Sequence, residues 1–421
     1  MNPLANPSWL VLCILPLVPV ARGADFAIRD GDTVAFLGDS ITAAGQYGRI
    51  IENYTLLRFP RRKVRFVNAG KGGDTAATSL ARLDRDVFER GATLVTVAFG
   101  VNDIGWGARA DAEHKQKYLD SVRRIIERCK EHHVRVYICS AAITAENPDT
   151  AENGFLQKMC DEGMALSRSL GEGAIDVQRT MRKIQRKVWE TNRNAKDEKE
   201  KETLHAGDGI HLNEYGQIAM AFAILKGLDA PAEVSSAAID ARGPAVIDAT
   251  GCRVDRLARK DDALEFVRLD DGLPLNLGLI GLLSYRWVPI PDELNRYMLT
   301  VKNLKAGRYS IEVDGRPLGV FSGEQLAAGV NIASATPDAW EPGGPWDSQA
   351  AILRNVTDAR NQLMLSRWLS GFYLAQSPNL EAIRKHADEI NRSIEILQRT
   401  TAQPTPYHFV IKPAPPEPSK P

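Results

Sequence analysis

The stretch that decides the fold is TVAFLGDSIT at residues 33–42, an apolar run of strand length that ends in Gly38-Asp39-Ser40. Such a run is typical of a strand buried on both faces of a sheet. In open sheets of parallel strands, ligands and functional groups gather beyond the carboxyl ends of the strands. We therefore expect Ser40 at that edge, either as a reactive hydroxyl or as a serine that caps the following helix.

Strand-like and helix-like patterns alternate from this stretch to about residue 228. Apolar, β-branched runs predict strands at residues 64–67, 93–99 and 134–139, with a further candidate at residues 174–177. Residues 118–129 carry apolar side chains three or four positions apart, as one face of a helix does. Alternation of this kind indicates a parallel sheet covered by helices on both faces, an α/β sandwich.

Two polar segments follow the strands predicted at residues 64–67 and 93–99. Gly72-Gly73-Asp74-Thr75 is one, and glycine there lets the backbone approach a substrate closely and point an N–H at it. Gly100-Val101-Asn102-Asp103 is the other, and the Asn102 amide is a neutral donor suited to an oxygen that gains negative charge in a transition state. Each segment taken alone also fits an ordinary turn.

The last polar segment is Asp208-Gly209-Ile210-His211, just before a helix predicted from Glu214. An aspartate and a histidine three residues apart at a helix entrance can lie close enough for the carboxylate to hold the imidazole. The other ring nitrogen is then free to take a proton from a serine. For this pair alone, a capping aspartate beside a surface histidine is the alternative.

Taken together, and in this order, the four segments resemble the blocks of the SGNH or GDSL hydrolases over roughly residues 32–228. The resemblance implies a three-layer α/β/α sandwich with a flavodoxin-like sheet. It also implies that Ser40 is the nucleophile, that His211 is the general base and then the acid, and that Asp208 orients His211. The oxyanion hole would consist of the backbone N–H groups of Ser40 and Gly73 and the side chain of Asn102. No metal or cofactor is needed for this chemistry.

Other candidate residues carry weaker signals. His205 has no aspartate at matching spacing and is the weaker candidate for a base, while His132 and His133 lie at a predicted helix end. Trp106 and Trp189 either line an acyl or sugar pocket or pack in the core. The four cysteines beyond residue 23 have no metal-ligand spacing and are expected as buried thiols, with a disulfide as the alternative; they are Cys129, Cys139, Cys160 and Cys252.

The two ends of the chain predict segments outside the α/β domain, which is assigned to residues 24–232. Residues 1–23 read as a signal peptide, because an apolar stretch at residues 9–20 is too short to span a bilayer and precedes Ala21-Arg22-Gly23. The mature protein is then periplasmic or secreted and has no membrane span; an uncleaved anchor is the alternative. At the other end, the Pro-rich residues 401–421 are expected to be disordered.

Residues 233–345 predict a small antiparallel β region and residues 346–400 a helical segment. Alternating runs at residues 263–269, 297–302, 308–313 and 318–321 predict strands, with Asp270-Asp271-Gly272 and Asp314-Gly315 at turn positions. Because the region resembles no familiar carbohydrate-binding module, we expect it to pack against the α/β domain and shape its cleft.

Charge and motifs together predict an exported carboxylic ester hydrolase. The 421 residues contain 53 basic and 53 acidic side chains, so no electrostatic argument favours a nucleic-acid partner. The expected substrate is an acetyl or short-acyl ester of a carbohydrate, with a lysophospholipid or other lipid ester as the competing one. An inactive glycan-binding protein is a different class, and the intact Ser40, Asn102, Asp208 and His211 argue against it.

Overall fold

The computed structural model describes residues 25–338, 340–341 and 343–415. Within them, five parallel strands form a sheet in the order β2-β1-β3-β4-β5. The strands are β1 (Thr33–Gly38), β2 (Arg65–Gly70), β3 (Leu94–Ala98), β4 (Arg135–Cys139) and β5 (Gly173–Ile175). Every pair is parallel, from Thr33 beside Arg65 to Cys139 beside Ile175. The predicted parallel sheet is confirmed, and β2 lies at one edge of it.

Helices cover both faces of this sheet. They are α1 (Ser40–Ala43), α2 (Gln46–Arg58), α3 (Ala76–Ser79), α4 (Ala112–Glu131), α5 (Pro148–Ala151), α6 (Phe155–Ser169), α7 (Val177–Asn192) and α8 (Glu214–Gly227). Short 3₁₀ and π turns lie at Leu80–Arg82, Asp84–Phe88, Gly105–Gly107 and Glu198–Glu200. Successive side chains of β1 alternate between two cores: Val34 and Phe36 join the core that includes α2, α7 and α8, and Ala35 and Leu37 the core that includes α4 and α6. The domain is thus a three-layer α/β/α sandwich.

Beyond residue 232 the chain builds two further sheets. One has the order β13-β10-β6-β7 and the other β12-β11-β14-β9-β8. The strands are β6 (Glu233–Asp240), β7 (Ala245–Thr250), β8 (Cys252–Lys260), β9 (Ala263–Asp270), β10 (Arg296–Lys302), β11 (Arg308–Val313), β12 (Arg316–Ser322), β13 (Val330–Asn331) and β14 (Tyr407–Pro413). The intervening helices are α9 (Gly278–Ser284), α10 (Ile290–Glu293), α11 (Gly323–Ala328), α12 (Pro345–Tyr373) and α13 (Leu380–Thr401).

Two details differ from what the sequence predicts. The tail expected to be disordered over residues 401–421 contains β14, which pairs with β9 and β11, so that prediction is wrong for residues 407–413. Tyr407, Phe409 and Ile411 alternate inward and are buried, which stabilises the strand in spite of the prolines that follow it. In the region expected to be antiparallel, β10 pairs with β6 in parallel. Such a pair needs a long crossover connection, and residues 241–295 supply it.

Helices α12 and α13 cover the edge strand β2. The Arg360 guanidinium donates to the backbone carbonyl of Phe66 and forms a buried ion pair with Glu52 of α2 at 2.6 Å. Gln398 of α13 donates to the other oxygen of Glu52 at 2.7 Å. Exposed strand edges are prone to pair with other chains, and the two helices protect β2 from such pairing. This cover also places α12 and α13 beside the carboxyl end of β2.

The expected signal peptide at residues 1–23 lies outside the described residues. Among the helices that are described, none combines the length and the apolar character that a bilayer span requires.

Candidate active site

Ser40 is the first residue of α1, and one residue, Asp39, separates it from the end of β1. Asp39 caps this helix, because its side chain accepts the N–H of Ile41 at 2.9 Å. The Ser40 hydroxyl is therefore not the cap, and it lies 2.8 Å from Nε2 of His211. Gly38 allows this close turn, since a Cβ there would meet the carbonyl oxygen of Ala98 at 2.9 Å.

Asp208 holds His211 from within the same loop. One carboxylate oxygen accepts the backbone N–H groups of Ile210 and His211, both at 2.9 Å. The other lies 2.5 Å from Nδ1 of His211. The His211 hydrogen bond, followed by the two backbone hydrogen bonds, holds the pKa of Asp208 below its usual range. An ionised carboxylate can only accept, so Nδ1 carries the proton and Nε2 is left to accept from Ser40.

Asn102 and Gly73 lie beyond the ends of β3 and β2. The Asn102 amide donates through Nδ2 to the backbone carbonyl of Asp74 at 3.0 Å, which leaves one amide hydrogen for a ligand. Gly73 has φ +72°, a conformation that side chains disfavour. Within the described part of the chain, no carbonyl or side chain accepts the N–H of Gly73.

Arg82 joins these segments, a role that no sequence pattern predicts. Its guanidinium is buried and donates to Asp74 at 2.6 Å, to the Ala69 carbonyl at 2.7 Å and to the Gly38 carbonyl at 3.1 Å. It also bonds Asp86 at 3.1 Å. One side chain thus joins the ends of β1 and β2 to the Gly73–Asp74 turn. In the sequence it looks like one more surface arginine among many.

Trp106, which the sequence suggested as a pocket residue, lies over the site. It occupies the left-handed region at φ 58° between Gly105 and Gly107, and its side chain is 55% exposed. Its indole N–H donates to Oδ1 of Asn102 at 2.9 Å. Its ring stands edge-on to the His211 ring, with centroids 6.1 Å apart.

Two buried carboxyls lie beneath the site. Burial raises the pKa of Asp39 to about 6 and the pKa of Asp103 to about 7. Asp103 accepts the N–H of Ala76 at 3.0 Å through one oxygen, and among the described residues its other oxygen has no partner. Asp103 thereby anchors the start of α3, next to the Gly73 turn.

The remaining candidates lie outside this group. His205 is buried with Nε2 at 3.1 Å from the Ile143 carbonyl, and burial lowers its pKa. His132 stacks on Phe88 at the end of α4. Trp189 is 40% exposed on α7. Cys129, Cys139, Cys160 and Cys252 are free thiols in the described structure.

The chain is similar to proteins of one known family and to several solved structures. Residues 36–218 match the model of the GDSL-like Lipase/Acylhydrolase family. A search of curated proteins gave no match. Among solved structures, the gut microbial diltiazem-metabolizing enzyme BT4096 is 22% identical and superposes with a TM-score of 0.79 over 92% of this chain and 98% of its own.

Two other solved structures align with about half of the chain. LAE5, an α/β hydrolase enzyme from the metagenome of Lake Arreo, Spain, is 21% identical with a TM-score of 0.40, over 48% of this chain and 97% of its own. The acetyl xylan esterase Axe2 from Geobacillus stearothermophilus is 18% identical with a TM-score of 0.40, over 48% of this chain and 96% of its own.

The resemblance read from the four sequence blocks is therefore confirmed. The likeness to BT4096 extends over the α/β domain and the C-terminal sheets and helices, so the whole architecture is a shared fold. By its family match, the α/β domain belongs to the GDSL-like lipase/acylhydrolase family, and the protein is a carboxylic ester hydrolase.

Proposed function

We propose that the protein is an exported serine hydrolase that removes an acetyl or other short acyl group from a carbohydrate through an acyl-enzyme on Ser40. The observation that carries the proposal is the continuous chain of contacts from Ser40 Oγ to His211 Nε2 and from His211 Nδ1 to Asp208. Such a chain activates a hydroxyl that is otherwise a weak nucleophile at neutral pH.

Each residue has a defined part in this mechanism. Ser40 Oγ attacks the ester carbonyl while His211 takes its proton, and the imidazolium then gives that proton to the departing sugar oxygen, which leaves as a hydroxyl group. Water, activated by His211 in the same way, releases the acyl group as a carboxylic acid. The oxyanion that forms in acylation and again in deacylation is stabilised by three donors: the free Asn102 amide hydrogen and the N–H groups of Ser40 and Gly73.

One side chain beside His211 supports a sugar as the alcohol half of the ester. Trp106 presents a half-exposed aromatic ring beside His211, a surface on which the apolar face of a sugar ring can stack.

The chemical step is tested with p-nitrophenyl acetate and a fluorophosphonate probe on the full-length protein. We expect Ser40→Ala to abolish both hydrolysis and labelling while the folded state, measured by circular dichroism, is unchanged. Turnover at the wild-type rate in Ser40→Ala would overturn the assignment. Undiminished labelling of His211→Ala would contradict the assigned base.

The ester is tested with a series of acyl chain lengths beside acetylated oligosaccharides. A steep preference for acetate on sugar is the expected result. A preference that rises with chain length, or efficient turnover of lysophospholipids, would overturn the carbohydrate part of the proposal and leave the serine mechanism intact.

Export is proposed from the sequence of residues 1–23. N-terminal sequencing of the protein recovered from outside the cytoplasm of a bacterial host is expected to give a chain that begins at residue 24. Retention of residues 1–23 would indicate an uncleaved anchor.

A further inference from the structure

A groove runs between the edge strand β2 and the helical pair α12 and α13. Its cavity has a volume of about 270 Å³ and is bordered by residues 43–45 and 70–72, which lie next to Ser40 and Gly73 in the chain. It adjoins a second cavity of about 290 Å³. The two cavities share Asp86, Arg90, Arg367 and Trp368. We call the two cavities together the β2 groove.

Most of the basic side chains in the β2 groove already have acidic partners. Arg49 pairs with Asp358, Arg65 with Glu395, Arg360 with Glu52 and Arg367 with Asp388. Lys71 and Arg90 differ, because the described residues supply neither of them with an ion pair or a side-chain hydrogen bond. The groove therefore has two cationic groups available to a ligand.

Of the two, Arg90 is better suited to bind an anionic ligand. It is half-buried, and burial together with repulsion from Arg367 lowers its pKa. A guanidinium in such surroundings gains from a carboxylate, which binds it through two parallel hydrogen bonds and offsets the lost hydration.

Beside apolar side chains such as Met364 and Leu365, the lining contains an aromatic ring and amides that suit a sugar. Trp368 is 36% exposed beside Arg90, and an indole face stacks on sugar rings. The amide side chains of Asn361 and Gln362 border the same space. Amides of this kind can bond to hydroxyl groups but offer nothing to an acyl chain.

We propose that the β2 groove binds an acidic sugar, with Arg90 on its carboxylate and Trp368 on its ring, so that the ester substrate is an acylated oligosaccharide that contains uronic acid. This inference rests on the proposed function, because it names the alcohol half of the substrate cleaved at Ser40. It also assigns a role to the C-terminal helices: they supply one wall of the specificity site.

Binding tests the groove independently of hydrolysis. The full-length protein is titrated by calorimetry with unesterified trigalacturonate and with the neutral galactose trimer. We expect the acidic trimer to bind at least about 10-fold more tightly, and Arg90→Gln to remove most of that difference. Arg90→Lys should restore part of it. Arg61→Gln is the matched control, since it removes the same charge from an exposed ion pair with Asp271.

Hydrolysis gives the second readout. Arg90→Gln should lower kcat/KM about 10-fold on acetylated oligogalacturonide and leave p-nitrophenyl acetate and acetylated xylo-oligosaccharide unchanged. Equal binding of acidic and neutral trimers, or an Arg90→Gln variant that still discriminates, would overturn the inference. So would tighter binding of a sulfated or phosphorylated trimer, or of a lysophospholipid, than of trigalacturonate. Binding of trigalacturonate without any ester hydrolysis would support the groove and overturn the proposed function.

Discussion

The indole N–H of Trp106 donates to the side-chain carbonyl of Asn102 at 2.9 Å. An indole N–H can only donate and the Asp74 carbonyl on the other side can only accept, so the two contacts fix which end of the Asn102 amide faces which way. The remaining amide hydrogen is thereby held in one direction, as the proposed oxyanion hole requires, and Trp106 also stands against the ring of His211.

Trp106→Phe keeps an aromatic ring and removes the N–H that holds Asn102. We expect kcat for p-nitrophenyl acetate to fall about 10-fold with KM little changed, because removing an oxyanion donor outright costs about 10²–10³ and here the donor is only loosened. Steady-state kinetics of the purified variant check this.

Trp189→Phe is the matched control, since Trp189 is also a partly exposed tryptophan but lies on α7. Its kinetics should equal those of the wild type. If Trp106→Phe changed KM alone, Trp106 would act as a binding wall and not through the Asn102 amide.

Gly73→Ala probes the backbone donor of the β2 turn. No heavy atom lies within 4 Å of the added Cβ, so the cost comes from φ +72°, about 1 kcal/mol, and is relieved if the N–H turns away. We expect kcat to fall about 10- to 100-fold while the melting temperature changes little. Gly72→Ala has equal space and no positive φ, and should behave like the wild type. Equal activity in both variants would exclude the Gly73 N–H as a donor.

Arg82→Met removes the buried guanidinium that joins β1, β2 and Asp74. Breaking a buried ion pair from one side costs about 3–5 kcal/mol, because the partner charge is left uncompensated. Urea unfolding should show that loss, and activity should fall because the Asp74 carbonyl also holds Asn102. Arg128→Met breaks an exposed pair with Asp84 and should cost at most about 1 kcal/mol. A similar small loss for Arg82→Met would show that the network does not hold the turn.

The sequence predicted the residues that meet at the sheet edge because parallel strands bring their carboxyl ends together. Ser40, Gly73 and Asn102 each follow a separate strand, so the sheet alone explains their convergence. Asp208 and His211 are close in the chain, and their pairing is local. For these residues, short-range pattern and sheet topology were enough.

What could not be predicted depends on contacts between distant parts of the chain. Arg82 acquires its role only when the carbonyls of Gly38 and Ala69 meet around it. The strand β14 completes a sheet between β9 and β11, more than 90 residues away along the chain from either. The cover that Arg360 provides for β2 likewise joins residues 294 positions apart. No local pattern encodes such pairings.

Asp103 should make stability depend on pH in an unusual direction. Burial raises its pKa from 3.8 to about 7, so between about pH 4 and pH 7 the folded state holds a proton that the unfolded chain has lost. Its contribution to the free energy of unfolding is therefore complete below about pH 4 and is lost as the pH rises through 7.

Asp103→Asn removes this titration and keeps an oxygen for the Ala76 N–H. The wild type loses stability between pH 4 and pH 8 and the variant does not lose this part. The free energy of unfolding of the variant minus that of the wild type should therefore rise across this range by on the order of a few kcal/mol, since each unit of pKa difference is worth about 1.4 kcal/mol. Urea unfolding at intervals across this range measures the difference. Asp262→Asn, in an exposed hairpin turn, should follow the wild-type curve at every pH. If the free energies of unfolding of Asp103→Asn and the wild type differed by the same amount at every pH from 4 to 8, Asp103 would be ionised throughout. The hydrogen-bond donors around it would then outweigh its burial.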